Sequence, residues 1–208
     1  MQFDFDKLAS RDRYKLLVST VLPRPIGFTT TVDRDGVVNA APFSFFNALA
    51  EEPPLLVLGL QAASGKAKDT ARNITETGEF VVNTVSESIA EAMNICAIDF
   101  PPEIDELQQA GLTAAPSLKV RPPRVAESPS SFECKLWKSI EVGSAGLIVL
   151  GEVVAMHIAD EFVDAEKLHV AAERMRLVGR MHGRGVYART SDLFEIHRVT
   201  YDAWKAKP

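Results

Sequence analysis

The feature that most constrains the fold is a pair of long strand-like runs at residues 132–142 and 147–158. Both runs are rich in apolar and β-branched residues, and only Gly143-Ser144-Ala145-Gly146 separates them. Two such runs joined by a short glycine-containing segment predict an antiparallel hairpin. An all-helical fold is thereby excluded, and the rest of the chain must pack around a sheet.

Strand patterns also dominate the rest of the chain. Further strands are predicted at residues 26–32, 37–40, 43–48, 55–60, 80–85 and 193–199, and helices at residues 11–20, 69–76 and 86–98. The regular alternation of strands and helices that a doubly wound parallel sheet requires is missing. The sequence therefore predicts a mainly β fold, a β-barrel or sandwich with peripheral helices.

The chain has 208 residues and shows no internal repeat or flexible linker. These properties predict a single domain over residues 1–208. Residues 99–131 are irregular and rich in proline. We interpret them as an insertion or lid that lies on the domain, because they do not separate two candidate cores.

Composition excludes several classes of protein. The net charge is −5, from 23 basic and 28 acidic residues, which argues against a nucleic-acid binder or a basic membrane-surface protein. No apolar run is long enough to span a membrane, and the N-terminus has no signal-peptide pattern. Cys96 and Cys134 lack metal-binding spacing. We therefore expect a cytoplasmic protein with free thiols and no metal site.

A candidate phosphate site lies at residues 64–74. Ser64, Lys68, Thr70 and Arg72 stand just before or within the first turns of a predicted helix. Helix N-termini offer unpaired N–H groups and partial positive charge, and both favour a phosphate. The alternative from spacing alone is a surface helix with solvated lysines.

A candidate site for a planar ligand lies at residues 43–47. Phe45 and Phe46 offer flat apolar surface, and Ser44 and Asn47 on either side of them offer hydrogen-bonding groups. A heteroaromatic ligand needs both, because its faces favour dispersion and its rim needs hydrogen bonds. The alternative is a half-buried strand whose phenylalanines belong to the core.

The third candidate segment, residues 174–189, holds five arginines, three glycines and no acid. The spacing is not that of a dinucleotide-binding fingerprint, because no strand and glycine turn precede a helix. His182 is the only one of the four histidines in this glycine- and arginine-rich setting. The alternative is an exposed basic loop, or arginines that pair with acids elsewhere.

Taken together, these segments resemble the flavin reductase-like family of FMN-binding split β-barrels. The resemblance covers about residues 12–200. It rests on residues 23–31, 39–47, 53–54, 68–70, 73–74, 80–83 and 179–187, which occur in the family's order.

The resemblance implies a homodimer of split barrels in which each barrel binds FMN near the subunit interface. In this chain Ser64, Lys68 and Thr70 would hold the phosphate, with Arg24 and Arg72 as helpers. Residues Ser44, Phe45, Phe46 and Asn47 would border the isoalloxazine ring. Arg180 and His182 would approach from the late loop, from the same or the partner subunit.

The implied activity is NADH- or NADPH-dependent flavin reduction, in some members as the reductase component of a two-component monooxygenase. The flavin would carry the chemistry, so no catalytic side chain is expected. One alternative is an FMN-binding electron-transfer protein or flavin carrier without nicotinamide activity. Another is a split-barrel module for haem or pyridoxal phosphate, with His157 as the only axial candidate for haem.

Overall fold

The structure is a computed structural model that describes residues 1–61, 69–144 and 146–205. Its strands are β1 Gly27–Val32, β2 Val38–Phe43, β3 Phe46–Glu51, β4 Pro54–Gln61, β5 Glu79–Asn83, β6 Ala114–Ala115, β7 Arg124–Val125, β8 Ser130–Val142, β9 Gly146–Ile158, β10 Val163–Asp164, β11 His169–Val170, β12 Val178–Arg180 and β13 Tyr187–Arg189. Its helices are α1 Ser10–Thr20, α2 Asp69–Thr77, α3 Ala90–Ile95, α4 Glu106–Gln109 and α5 Tyr201–Lys205.

Seven strands form one antiparallel sheet in the order β2-β1-β5-β8-β9-β4-β3. β2 and β3 are at the two ends of this order, yet only Ser44 and Phe45 separate them in sequence. The sheet must therefore curl until its first and last strands meet, which produces a barrel. The predicted hairpin is the central β8–β9 pair, and the mainly β fold with peripheral helices is confirmed.

Two apolar clusters hold the barrel together. The interior cluster includes Phe43, Leu58 and Phe80, together with Ala71 and Ile74 of α2. Helix α2 therefore closes one end of the barrel with its apolar face. On the outside of the sheet, a second cluster consists of Ile26, Phe28, Ala40, Val85, Ile89, Met93, Cys96, Leu107, Val125 and Val178.

The irregular insertion at residues 99–131 is attached to the barrel by two buried carboxylates. Glu106 of α4 accepts a hydrogen bond from the Ala40 N–H at 2.9 Å. Glu133 of β8 accepts hydrogen bonds from the Leu118 N–H at 2.7 Å and the Lys119 N–H at 2.5 Å. The first contact gives a partner to the backbone N–H of the fully buried Ala40, and the second fixes an exposed part of the insertion to β8.

Two strand predictions were wrong in their details. The run at residues 43–48 is not one strand, because the chain changes from β2 to β3 at Ser44 and Phe45. The strand predicted at residues 193–199 does not form, and the segment has no regular secondary structure before α5 begins. An alternating pattern becomes a strand only beside a partner, and no described strand of this chain pairs with it.

Candidate functional site

A cleft of about 340 Å³ lies where the chain passes from β2 to β3. One wall is the end of α1 with Leu17, Val18 and Val21. The other walls are residues 23–25 and 44–47. This cleft therefore contains the four residues that were predicted to border a planar ligand, Ser44, Phe45, Phe46 and Asn47. Arg24 also lines it.

Two glycines allow the phenylalanines to lie against the sheet. A Cβ at Gly59 would stand 2.9 Å from the Phe45 Cβ, and a Cβ at Gly27 would stand 3.0 Å from the Phe46 ring. The Gly59 N–H also donates to the Phe45 carbonyl at 2.7 Å. The position of Phe45 is therefore set by the backbone as well as by packing.

Arg24 is a buried cation whose side chain joins three segments. Its Nη1 donates to the carbonyls of Val18 and Val21, at 2.6 and 3.0 Å, at the end of α1. Its Nη2 donates to the Met181 carbonyl at 3.0 Å, and its Nε donates to Ser44 Oγ at 3.4 Å. Burial lowers the pKa of the Arg24 guanidinium. None of these partners is a carboxylate, so the positive charge beside the cleft is not neutralised by them.

The polar groups of the cleft keep hydrogen-bonding capacity. Ser44 Oγ accepts from Arg24, so its own O–H remains a donor. Asn47 Oδ1 accepts from the Ala48 N–H at 2.9 Å, and the Asn47 NH₂ group remains a donor. A planar ligand with carbonyl and ring-nitrogen acceptors at its rim fits this set of donors.

The late loop is bonded to Arg24 of the cleft within the same chain, but neither Arg180 nor His182 lines the cleft. Arg180 and Arg24 form an isolated antiparallel bridge, with N···O distances of 3.0 and 2.8 Å. The Arg180 guanidinium donates to the carbonyls of Gly183 and Val186 and lies 4.9 Å from the Tyr187 ring centroid. That side chain stabilises its own hairpin. His182 is exposed at the hairpin turn.

The phosphate segment is only partly within the described residues, since Ser64 and Lys68 lie outside them. Thr70 is buried, and its Oγ1 accepts a hydrogen bond from Asn39 Nδ2 at 2.9 Å. Arg72 forms an ion pair with Asp69 at 2.5 Å and keeps 41% of its side chain exposed. Thr70 therefore connects α2 to β2, and Arg72 remains accessible to an anion.

His157 and two arginines of the late segment are occupied by carboxylate partners. His157 Nε2 lies 2.5 Å from Oε1 of the fully buried Glu133, so that nitrogen is already bonded and is not a free ligand for haem iron. Arg176 and Arg189 both form ion pairs with Glu87. For these two arginines the interpretation as paired surface residues is correct.

A second cavity of about 600 Å³ lies between the 3-10 turn at Glu87–Ile89 and the one at Ala172–Met175. Its charged lining mixes Glu87, Glu127 and Glu161 with Arg174 and Arg176. It is larger than the first cleft, but among the described residues that line it Phe162 is the only aromatic one. We therefore assign the planar-ligand site to the smaller cleft.

Sequence reasoning missed the contribution of α1 to the cleft. Leu17, Val18 and Val21 follow ordinary amphipathic spacing, and nothing in that pattern marks the surface they cover. Among the described residues no cluster of side chains suits a metal ion, and no helix is long and apolar enough to cross a membrane.

Comparison with known proteins agrees with this geometry. The family model described as "Flavin reductase like domain" matches residues 18–179. A protein of Deinococcus radiodurans is 42% identical over 98% of this chain and 92% of its own length.

Solved structures are similar over almost the whole chain. Nitrilotriacetate monooxygenase component B from Bacillus cereus is 35% identical, with a TM-score of 0.89 over 94% of this chain and 98% of its own. Pseudomonas fluorescens 2-nitrobenzoate 2-nitroreductase is 37% identical, with a TM-score of 0.89 over 97% of this chain and 98% of its own.

A flavin reductase with a split barrel domain from Shewanella frigidimarina, 23% identical, matches with a TM-score of 0.81 over 96% of this chain and all of its own. That match shows the split-barrel fold. From the family model and the relatives at 35–42% identity, the chain belongs to the flavin reductase-like domain family and is a flavin oxidoreductase.

Proposed function

We propose that the protein binds FMN and catalyses flavin reduction by NADH or NADPH. The observation that carries the proposal is the cleft in which Phe45 and Phe46 lie on Gly59 and Gly27 beside the buried Arg24. Flat apolar side chains with hydrogen-bond donors at their rim suit an isoalloxazine ring.

The distance between the cleft for the ring and the segment for the phosphate supports FMN as the ligand. In the β1–β2 register Phe43, next to the cleft, pairs with Gly27, and Asn39, next to Thr70 of α2, pairs with Thr31. Four residues of strand span about 13 Å, a distance that a ribityl chain and phosphate can bridge. We therefore propose that Ser64, Lys68, Thr70 and Arg72 hold the phosphate and that residues 44–47 border the ring.

When bound, the flavin supplies the hydride acceptor, and the protein's side chains bind the flavin and orient it. Ser44 and Asn47 offer donors to the rim of the ring. The buried charge of Arg24 favours negative charge in the cleft, because screening is weak in a low-dielectric site. No described cleft residue is required as a general acid or base.

The arginines of the late loop have different roles in this proposal. Arg180 is bonded to carbonyls of its own hairpin, whereas Arg184 is exposed and has no hydrogen-bond or ion-pair partner within the described residues. We assign Arg184 and the exposed His182 to the pyrophosphate of the nicotinamide nucleotide. Arg180 holds the loop that presents them.

A homodimer and a monooxygenase partner belong to the proposal. A relative of known structure is a component B of a monooxygenase, which supports a partner that consumes reduced flavin. A cytoplasmic location is also proposed, since both cysteines are free and buried. Burial raises the pKa of the Cys96 thiol to about 12, which makes it unreactive at neutral pH.

Titration of the purified protein with FMN, FAD and riboflavin, followed by flavin fluorescence, tests the binding half of the proposal. FMN is expected to bind most tightly, and Phe45→Ala to weaken all three flavins by at least tenfold. Phe3→Ala is the matched control, because Phe3 is exposed near the N-terminus and outside the cleft. Equal effects of the two substitutions would place the ring elsewhere.

A second candidate is reduction of a nitroaromatic substrate by the bound flavin. It is favoured by the 37% identity to the 2-nitrobenzoate 2-nitroreductase. Consumption of NADH or NADPH that requires 2-nitrobenzoate and yields a reduced nitro group would support it. Nucleotide consumption with free FMN alone would favour the flavin reductase.

A further inference from the structure

The C-terminal arm, residues 191–205, carries large apolar side chains that remain exposed in the described part of the chain. Phe194 is 86% exposed, Ile196 is 81% exposed and Trp204 is 65% exposed. Leu193, Val199 and Tyr201 of the same arm are also exposed. So many large apolar residues in one contiguous exposed segment mark an interaction surface.

Among the described residues, the backbone of residues 191–199 also has no hydrogen-bond partner. Residues 191–200 have no regular secondary structure, and within the described part of the chain none of them pairs with a strand. The side-chain contacts of the arm are internal, between His197 and Glu195 and between the rings of Tyr201 and Trp204. The arm therefore has a strand-like sequence but pairs with none of the described strands of its own copy.

A complementary surface lies on β8. This strand pairs with β5 only from Ser131 to Lys135, whereas its pairing with β9 continues to Val142. Among the described residues, 137–142 thus present a sheet edge without a neighbouring strand. Trp137, Ile140 and Val142 on this stretch are also exposed, at 51%, 44% and 41%.

An open edge with exposed apolar residues is prone to pair with another chain unless something covers it. Addition of an extended segment to such an edge provides backbone hydrogen bonds and side-chain contacts together. The arm and the β8 edge occur on the same chain, yet both remain exposed in the single copy. Within one copy, the arm does not pair with the β8 edge and does not cover its apolar residues.

We propose that residues 193–199 of one copy pair with residues 137–142 of β8 in a second copy, and the reverse. The contact is then isologous, as expected for a two-fold dimer. This inference rests on the proposed homodimer and names the segments that hold it together. It does not depend on which flavin or nucleotide is bound.

The apolar area and the charges of the arm and of the β8 edge favour a second copy of the chain as their partner. An aromatic side chain contributes roughly 150–250 Å² when buried, so the arm and edge present several hundred Å² per copy. A stable interface needs about 800 Å² from each partner, which two reciprocal contacts approach. The arm carries Glu195 and Arg198, and the edge carries Lys138 and Glu141. Each surface therefore has both signs of charge, and opposite charges can pair across the contact.

Sedimentation of the full chain across micromolar concentrations tests the proposal. The full chain is expected to be a dimer. A chain that ends at Thr190 and the variant Ile140→Lys, which puts a charge on the edge, are each expected to raise the dimer dissociation constant at least tenfold. Asp192→Asn and Ile140→Val are the matched controls, since Asp192 is exposed outside the pairing residues 193–199 and neither change removes the arm's apolar surface or charges the edge.

Mixing separates this arrangement from other dimers. The truncated chain keeps an intact edge, and the Ile140→Lys chain keeps an intact arm. A mixture is expected to form heterodimers at concentrations where each chain alone is monomeric. Arm-to-arm or edge-to-edge pairing predicts no heterodimer, and that result would overturn the proposal.

Two further outcomes also contradict it. These are a truncated chain that dimerises as tightly as the full chain, and a full chain that is monomeric at all concentrations. Flavin binding is measured separately on the same samples. A truncated monomer that still binds FMN supports the arm proposal and removes the subunit interface from the flavin site. A dimer that binds no flavin supports the arm proposal and contradicts the proposed function.

Discussion

Arg24 and Arg180 exchange two backbone hydrogen bonds, with N···O distances of 3.0 and 2.8 Å. This bridge joins the segment after α1 to β12 across more than half of the sequence. The Arg24 side chain then extends the connection to the Val18 and Met181 carbonyls. Arg24, which lines the cleft, is therefore held in place by segments from both the beginning and the end of the chain.

Replacement of Arg24 is expected to destabilise the protein. Arg24→Met leaves the carbonyls of Val18, Val21 and Met181 without their donor, at a cost of about 2–4 kcal/mol in the free energy of unfolding. The urea midpoint measures this loss. Arg11→Met on the exposed side of α1 is the control and is expected to change stability little. Equal midpoints for the two variants would contradict the structural role of Arg24.

The sequence predicted the hairpin, the barrel and the grouping of residues 44–47, because these depend on local periodicity and turn residues. It did not predict the role of Arg24, which looked like a helper for the phosphate. The hydrogen bonds of Arg24 go to the backbone carbonyls of residues 18, 21 and 181. Because every residue has a backbone carbonyl, the sequence does not show which of them Arg24 contacts. The strand expected at residues 193–199 failed because its pattern has no partner strand in the described part of the chain.

A methyl group at Gly59 is expected to disturb the cleft. Gly59→Ala places a Cβ 2.9 Å from the Phe45 Cβ, so the phenylalanine must move. We expect about 1–3 kcal/mol of destabilisation and at least tenfold weaker FMN binding, measured by fluorescence titration. Gly185→Ala is the control, because a Cβ there meets no atom within 4 Å. Unchanged FMN affinity in Gly59→Ala would show that Phe45 does not contact the ring.

The phosphate assignment predicts a difference between two flavins. Lys68→Ala is expected to weaken FMN binding by roughly tenfold to a hundredfold, because the lost contact is charge-assisted. Riboflavin has no phosphate, so its affinity is expected to stay the same. Lys66→Ala in the same segment is the control. Equal losses for FMN and riboflavin would mean that Lys68 acts on the segment and not on the phosphate.

The buried carboxyl of Glu106 makes stability depend on pH. Burial raises its pKa, although the hydrogen bond from the Ala40 N–H opposes the shift. The folded state therefore holds this proton more tightly than the unfolded state, and the stability from this group falls as pH rises through the raised pKa. Glu106→Gln keeps an acceptor for Ala40 without the charge.

We expect Glu106→Gln to be more stable than the original protein at about pH 8 and equal to it at about pH 3, where the carboxyl is protonated in both states. Urea midpoints across this range measure the difference. Glu103→Gln on the exposed part of the insertion is the control. A variant that loses stability at alkaline pH would mean that the charge on Glu106 is needed.

Anaerobic mixing of the flavin-loaded protein with NADH or NADPH decides whether the protein reduces its flavin with a nicotinamide nucleotide. We expect the flavin absorbance band to bleach within seconds with at least one of the two nucleotides. We also expect slower bleaching in Arg184→Ala and an unchanged rate in Arg34→Ala, since Arg34 lies in the turn between β1 and β2 and outside the cleft. A bound flavin that stays oxidised with both nucleotides but is reduced by dithionite would rule out nicotinamide-dependent flavin reduction. That result would favour an electron-transfer protein or flavin carrier.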